Sequence, residues 1–159
     1  MVMSPLEIKF LADVMLGRLS KWLRIMGYDT HYQLFYNEVT IDLIMQEGRL
    51  LLTRNKRLVN KYIPSYLINS EHVGTQLQEM AKSGYLHLDK SQWFSRCPVC
   101  NTHLQSISLE EAKAHIPEYI FTQNISGLHF CPSCGRYFWP GSHKTRMMSQ
   151  ISKWLSEDG

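Results

Sequence analysis

The chain has 159 residues, 44% of them apolar, and a formal net charge of +3. These values describe a globular protein of one domain, or one domain with an appendage, and exclude an intrinsically disordered chain. No apolar run approaches the roughly 20 residues that span a bilayer, and the charge is too small to demand a polyanionic partner, so any nucleic-acid signal must lie in local clusters.

The first residues, MVMSPLEIKF, lack the basic region and apolar run of a secretory signal, and a cytoplasmic protein is expected. Ile8 to Ala12 reads as a strand ending at Asp13, followed by an amphipathic helix up to Gly27. Leu16, Leu19, Leu23 and Met26 share one helical face, with Arg18, Lys21 and Arg24 expected on the other and Gly27 as the stop. Asp13 then stands at the C-terminal end of a strand, where open α/β sheets place ligands; an aspartate before a helix also serves as an N-cap.

Tyr28 to Tyr32 reads as a second strand. Asn37 to Gln46 reads as a helix capped by Asn37, with Val39, Leu43 and Ile44 inward, closed by Gly48. Arg49 to Thr53 is a nearly continuous apolar run, the pattern of a parallel strand covered on both faces. The polar, basic RNKRLVNKY places Arg54, Asn55, Lys56 and Arg57 at its exit. Tyr66 to Ile68 is a fourth strand, and Val73 to Lys82 a helix with Val73, Leu77, Met80 and Ala81 on its apolar side. Strands alternating with helices predict a parallel α/β sheet with helices on both faces over residues 1–90.

The character then changes. Cys97-Pro-Val-Cys100 and Cys131-Pro-Ser-Cys134 have the spacing of two zinc knuckles. Four thiolates suit tetrahedral Zn²⁺ and close its shell, so the zinc is expected to be structural. A redox dithiol or four buried thiols are the alternatives, and two matching CxxC pairs argue against both. Residues 91–143 form this ribbon, with strands or a short helix expected in the insert from Asn101 to Phe130. His103, His115, His129 and His143 lie in or near it and are not needed as ligands. Lys144 to Leu155 reads as a last helix within residues 144–159, with Met147 or Met148, Ile151 and Leu155 inward, and it is expected to dock on the α/β domain.

FLADVMLGRLSKWLRIMGYDT, EGRLLLTRN, RCPVCN and CPSCGRYFWPGSH occur in that order. Together they resemble the Mut-seven C-terminal ribonuclease domain family, a PIN-like (Rossmannoid) domain followed by a zinc ribbon. The resemblance covers nearly the whole chain. It implies a metal-dependent ribonuclease whose acidic residues at the C-terminal edge of the sheet hold Mg²⁺ or Mn²⁺. Asp13 matches the first acid and metal ligand. Asn37 occupies the second position, with Glu38 beside it as the assisting acid, and Asn55 occupies the third, after Leu-Thr-Arg. Asp42, one turn beyond Glu38, is a further candidate acid.

An amide oxygen brings no charge and cannot act as a base. The basic residues near the expected crevice are Arg18, Lys21, Arg24, Arg54, Lys56 and Arg57; Arg18 and Arg54 are the leading phosphate contacts, followed by Lys21 and Lys56. Trp22, Trp93 and Trp139 are read as packing residues rather than base-stacking platforms. Three functions follow from these residues: hydrolysis of RNA phosphodiesters, RNA binding without catalysis, and a protein-interaction module using the ribbon and last helix.

Overall fold

The computed structural model of the chain describes residues 7–123 and 125–156. It divides into two compact units, Met1–Asn101 and Thr102–Gly159.

In the first unit, strands β1 (Phe10–Ala12), β2 (Thr30–His31), β3 (Leu50–Thr53) and β4 (Ser65–Leu67) form one parallel sheet in the order β2-β1-β3-β4. Phe10 pairs with Thr30 on one side and Leu50 on the other, and Leu52 pairs with Tyr66. The chain therefore steps outward from β1 to β2, then returns past β1 to β3. That reversal opens a crevice at the C-terminal ends of β1 and β3. Right-handed crossovers then put α1 (Gly17–Ile25) on one face, and α2 (Glu38–Met45) and α3 (Lys56–Lys61) on the other. Leu11 and Leu51 pack with Ile41, Ile44 and Tyr62 on the α2–α3 side. Both faces of β3 are covered, which is why all four of its residues are buried.

Asp13 caps a short 3-10 turn, Val14–Leu16, that leads into α1. Leu16, Leu19, Leu23 and Met26 are buried, as their spacing requires. Gly27 has φ +95°, and a Cβ there would stand 2.6 Å from the Gln92 carbonyl oxygen, so both conformation and space demand glycine.

Arg24 corrects the sequence expectation. It is buried rather than on the outer face with Arg18 and Lys21. Its Nε donates to the Thr30 carbonyl at 2.9 Å, and Nη1 donates to the carbonyls of Pro98 and Val99 at 3.1 and 3.0 Å. It ties the first cysteine turn to β2 and does not face solvent as a phosphate contact would.

A second correction concerns α2. Asn37 caps it as expected, but Ile41 and Ile44 turn inward, while Val39 and Leu43 are 67% and 60% exposed. Apolar residues occur all around this short helix, so spacing selects no stripe; the cap and the packing against Leu11, Leu51 and Tyr62 fix the rotation. Helix α3 has no buried residue and hence no amphipathic signal, although Asn55 caps it by accepting from the Arg57 amide. Helix α4 (Val73–Lys82) packs against α1 with Val73, Leu77 and Met80 buried.

Asp29 forms a polar node beside β2. Its carboxylate accepts from Arg49 Nη1 at 2.8 Å and from the Asn101 side-chain amide at 2.7 Å. Burial pushes this carboxyl upward, but the hydrogen bonds from Arg49 and Asn101 outweigh it and the net shift is downward. The unfolded chain therefore binds this proton more tightly. Stability from the node is complete above about pH 4 and is lost as pH falls through the lowered folded value. Asp29→Asn is expected to flatten the acid limb of a melting-temperature profile; an unchanged limb would contradict the assignment.

In the second unit, β5 (Gln105–Ser106), β6 (His129–Phe130) and β7 (Tyr137–Phe138) form an antiparallel sheet in chain order. The insert carries α5 (Leu109–Ala112), capped by Ser108, and α6 (Glu118–Thr122). Ala112, Ile116, Ile120 and Leu128 make a small core, with Tyr137 and Trp139 packed against it. The last helix, α7 (Ser142–Leu155), buries Ile151 completely and leaves Met148 37% exposed, so Met147 is the inward methionine.

Candidate functional site

At the reversal point, Asp13 follows β1 and Thr53 ends β3. Thr53 is fully buried, and its hydroxyl donates to Asp13 Oδ2 at 2.8 Å while accepting from the Asn55 amide at 3.0 Å. The other carboxylate oxygen, Oδ1, accepts from the Val14 amide at 2.7 Å. The Asp13 backbone amide donates to Leu52 across the strand pair. One half-exposed carboxylate is thus fixed at the crevice through both oxygens.

Two tyrosines border it. The Tyr32 hydroxyl donates to the Val14 carbonyl at 2.9 Å, and the Tyr36 oxygen accepts from the Gln33 amide at 2.7 Å. Burial raises the Tyr36 hydroxyl strongly, the nearby Asp13 carboxylate adds to the rise, and the phenol stays protonated. Neither tyrosine nor Thr53 had been singled out from the sequence. The signal for Thr53 was available, as a small hydroxyl residue ending an otherwise apolar strand.

The other expected acidic positions serve different purposes. Asn37 Oδ1 accepts from both the amide and the hydroxyl of Thr40 at 2.8 Å, capping α2. Asn55 Oδ1 caps α3. Glu38 is 79% exposed and its Oε1 pairs with Lys61 Nζ at 2.9 Å. Asp42 acts on the same neighbourhood, through Lys61 and Tyr62. Among the described residues, no group of three or more His, Cys, Asp or Glu side chains forms around Asp13. A hard divalent ion needs carboxylate charge, and here a single carboxylate faces two neutral amides already committed as caps. This donor set carries less negative charge than Mg²⁺ or Mn²⁺ usually takes from a protein.

Cations surround the same edge. Arg18 and Lys21 on α1, and Lys56 and Arg57 in the first turn of α3, are exposed. Arg54 leaves β3 with its side chain 25% exposed, a loose approach of 3.8 Å to Glu71, and a buried Nε that has no hydrogen-bond partner among the described residues. Trp93 is buried and Trp22 half-buried, in keeping with packing roles.

The four cysteines form the second site. Sγ atoms of Cys97, Cys100, Cys131 and Cys134 lie within 4.8 Å of one another, with Cys97 and Cys131 fully buried. Four sulfurs about 2.3 Å from one tetrahedral zinc would be about 3.8 Å apart, so the cluster could hold a structural metal ion and its soft donors are those of zinc. The Cys100 amide donates to Cys97 Sγ at 3.4 Å, the turn amide such knuckles direct at sulfur. Gly135, with φ +77°, closes the second turn and donates to the Cys131 carbonyl. No histidine belongs to the cluster; His115 stacks on Tyr137, with ring centroids 4.7 Å apart.

A four-strand parallel sheet with its acid at the reversal point, joined in one chain to a four-cysteine cluster that could hold zinc, defines a mixed α/β protein with a metal-type cysteine site. The family model described as the Mut7-C RNAse domain matches residues 8–151, and the chain belongs to that family. No curated protein and no solved structure matches it. Among the described residues, no helix is long and apolar enough to cross a membrane.

Proposed function

We propose that this chain is an RNA-binding member of the ribonuclease-like family that holds single-stranded RNA at the sheet edge without hydrolysing it. The observation that carries this reading is the pairing of a cationic rim with an incomplete acidic set. Arg18 and Lys21 after β1, and Arg54, Lys56 and Arg57 after β3, flank one carboxylate. Arg18 and Arg54 contact phosphate, and Lys21, Lys56 and Arg57 add charge. Asp13, held by Thr53 and Val14, orders the exits of both strands. The zinc cluster is structural, and its thiols fit the reducing cytoplasm.

Hydrolysis on Mg²⁺ or Mn²⁺ held by Asp13, with Glu38 assisting and Asn55 in third place, is the competing reading. The half-exposed Asp13 carboxylate at the crevice favours it. The pairing of Glu38 with Lys61 opposes it.

Anisotropy of a labelled single-stranded RNA, measured across salt concentrations, tests the binding. Arg18→Ala and Lys56→Ala are exposed changes that leave the fold intact. Each is expected to weaken binding to every sequence and to lower the salt slope by about 0.7. Salt-independent binding, or affinity indifferent to both changes, would remove the proposal.

A further inference from the structure

The second unit contains an open cavity of about 550 Å³, within the usual size range of ligand pockets. Tyr119, Tyr137 and Trp139 supply aromatic surface, and Gln123, Ser142 and His143 supply hydrogen-bonding groups. Among its lining residues there is no Asp, Glu, Lys or Arg. Tyr119 is 57% exposed at the C-terminal side of Pro117, and no other ring meets its ring among the described residues. Tyr137 is already covered on one face by His115, at an interplanar angle of 6°. Trp139 is half-buried against the small core and also lines the cavity, so packing accounts for only part of its surface.

We infer that this cavity takes one unpaired nucleobase of a single-stranded RNA, an inference that rests on the RNA-binding reading above. A charged ligand would find no carboxylate, ammonium or guanidinium partner among the lining side chains. A purely aliphatic one would make no use of the Gln123 amide, the Ser142 hydroxyl and the His143 imidazole, all of them on exposed residues. A nucleobase is flat, neutral and rich in edge donors and acceptors. Single-stranded RNA is recognised in this way, by stacking on aromatic side chains and hydrogen bonding at the base edge. Tyr119 provides the stacking platform at the mouth, Trp139 the inner wall, and Gln123 the edge contact.

The test uses the full zinc-loaded chain and two strands of about ten nucleotides, the scale of single-stranded sites. One is RNA and the other is a ribose-phosphate strand of the same length carrying abasic positions. The wild-type chain is expected to bind the abasic strand about tenfold more weakly. Tyr119→Ala, at an exposed position, should weaken RNA binding by about tenfold, erase the difference between the strands and leave the salt slope unchanged, while Tyr119→Phe retains wild-type behaviour. If Tyr119→Ala binds and discriminates as wild type does, the cavity is not a base site. Loss of affinity in Arg18→Ala alone would then leave the crevice reading standing without the cavity. An effect of Tyr119→Ala with Arg18→Ala and Lys56→Ala silent would do the reverse, and no RNA binding at all would overturn both.

Discussion

Stripping the metal with a chelator, or replacing Cys131 and Cys134 by serine, is expected to abolish the cooperative melting of Thr102–Gly159. The core of that unit is small. Ala112, Ile116, Ile120 and Leu128 are its buried cluster, and its three strands are two residues long each. A unit of this size cannot offset its conformational entropy by burial alone and requires a staple. Structural zinc contributes on the order of 10 kcal/mol in such modules, far more than a satellite core of this kind. The measurement is zinc release with a colorimetric chelator, followed by circular dichroism and melting of the stripped chain. One zinc released per chain, together with loss of that unit's cooperative transition, is the expected result. A stripped chain that melts as the loaded one does would show that the cysteines are not a structural staple.

Arg24→Ala is expected to destabilise the first unit by about 3 kcal/mol. The guanidinium is 6% exposed and serves three carbonyl acceptors, those of Thr30, Pro98 and Val99. Truncation strands those oxygens, and each charge-assisted bond to a buried acceptor is worth roughly 1.5–3 kcal/mol, partly recovered by relaxation and water. Burial lowers the pKa of Arg24, and the neighbouring polar and acidic groups, Asp29 among them, offset only part of that fall. Arg24→Lys should not rescue it, because a single ammonium cannot reproduce the fork that reaches β2 and the cysteine turn together. At about 4–8 °C per kcal/mol for a unit of this size, its melting temperature should fall by roughly 12–24 °C. A change within 1 °C, with normal zinc retention, would mean that the three contacts are incidental.

The difference between Arg24 and Arg18 shows where sequence reading stops. Both lie on a helix whose apolar stripe at Leu16, Leu19, Leu23 and Met26 was plain from spacing, and that stripe is buried. Spacing carries no information about a carbonyl seventy-odd residues away, which is what draws Arg24 inward. Helix α4 was legible to its ends, because Val73, Leu77 and Met80 form one stripe closed by Gly84. Helix α2 was legible in position but not in rotation, since apolar residues on all sides leave the choice to tertiary packing. The four cysteines were legible in full, as metal geometry constrains spacing within each pair.

The crevice lies at an intermediate level. Position alone put Asp13 at the end of β1, and the order β2-β1-β3-β4 makes that end the reversal point. The roles of Asn37 and Asn55 as caps were implicit in their residue type. The turn of Glu38 toward Lys61 was not, because an exposed side chain at a helix start has several partners within reach and sequence does not rank them.

Incubating single-stranded RNA with wild type and Asp13→Asn in millimolar Mn²⁺, and following binding and chain length together, tests the central claim most directly. The expected result is that both proteins hold RNA and that neither shortens it beyond a protein-free control. Manganese-dependent shortening by wild type that disappears in Asp13→Asn would contradict it, and would show that one carboxylate suffices to assemble the ribonuclease site.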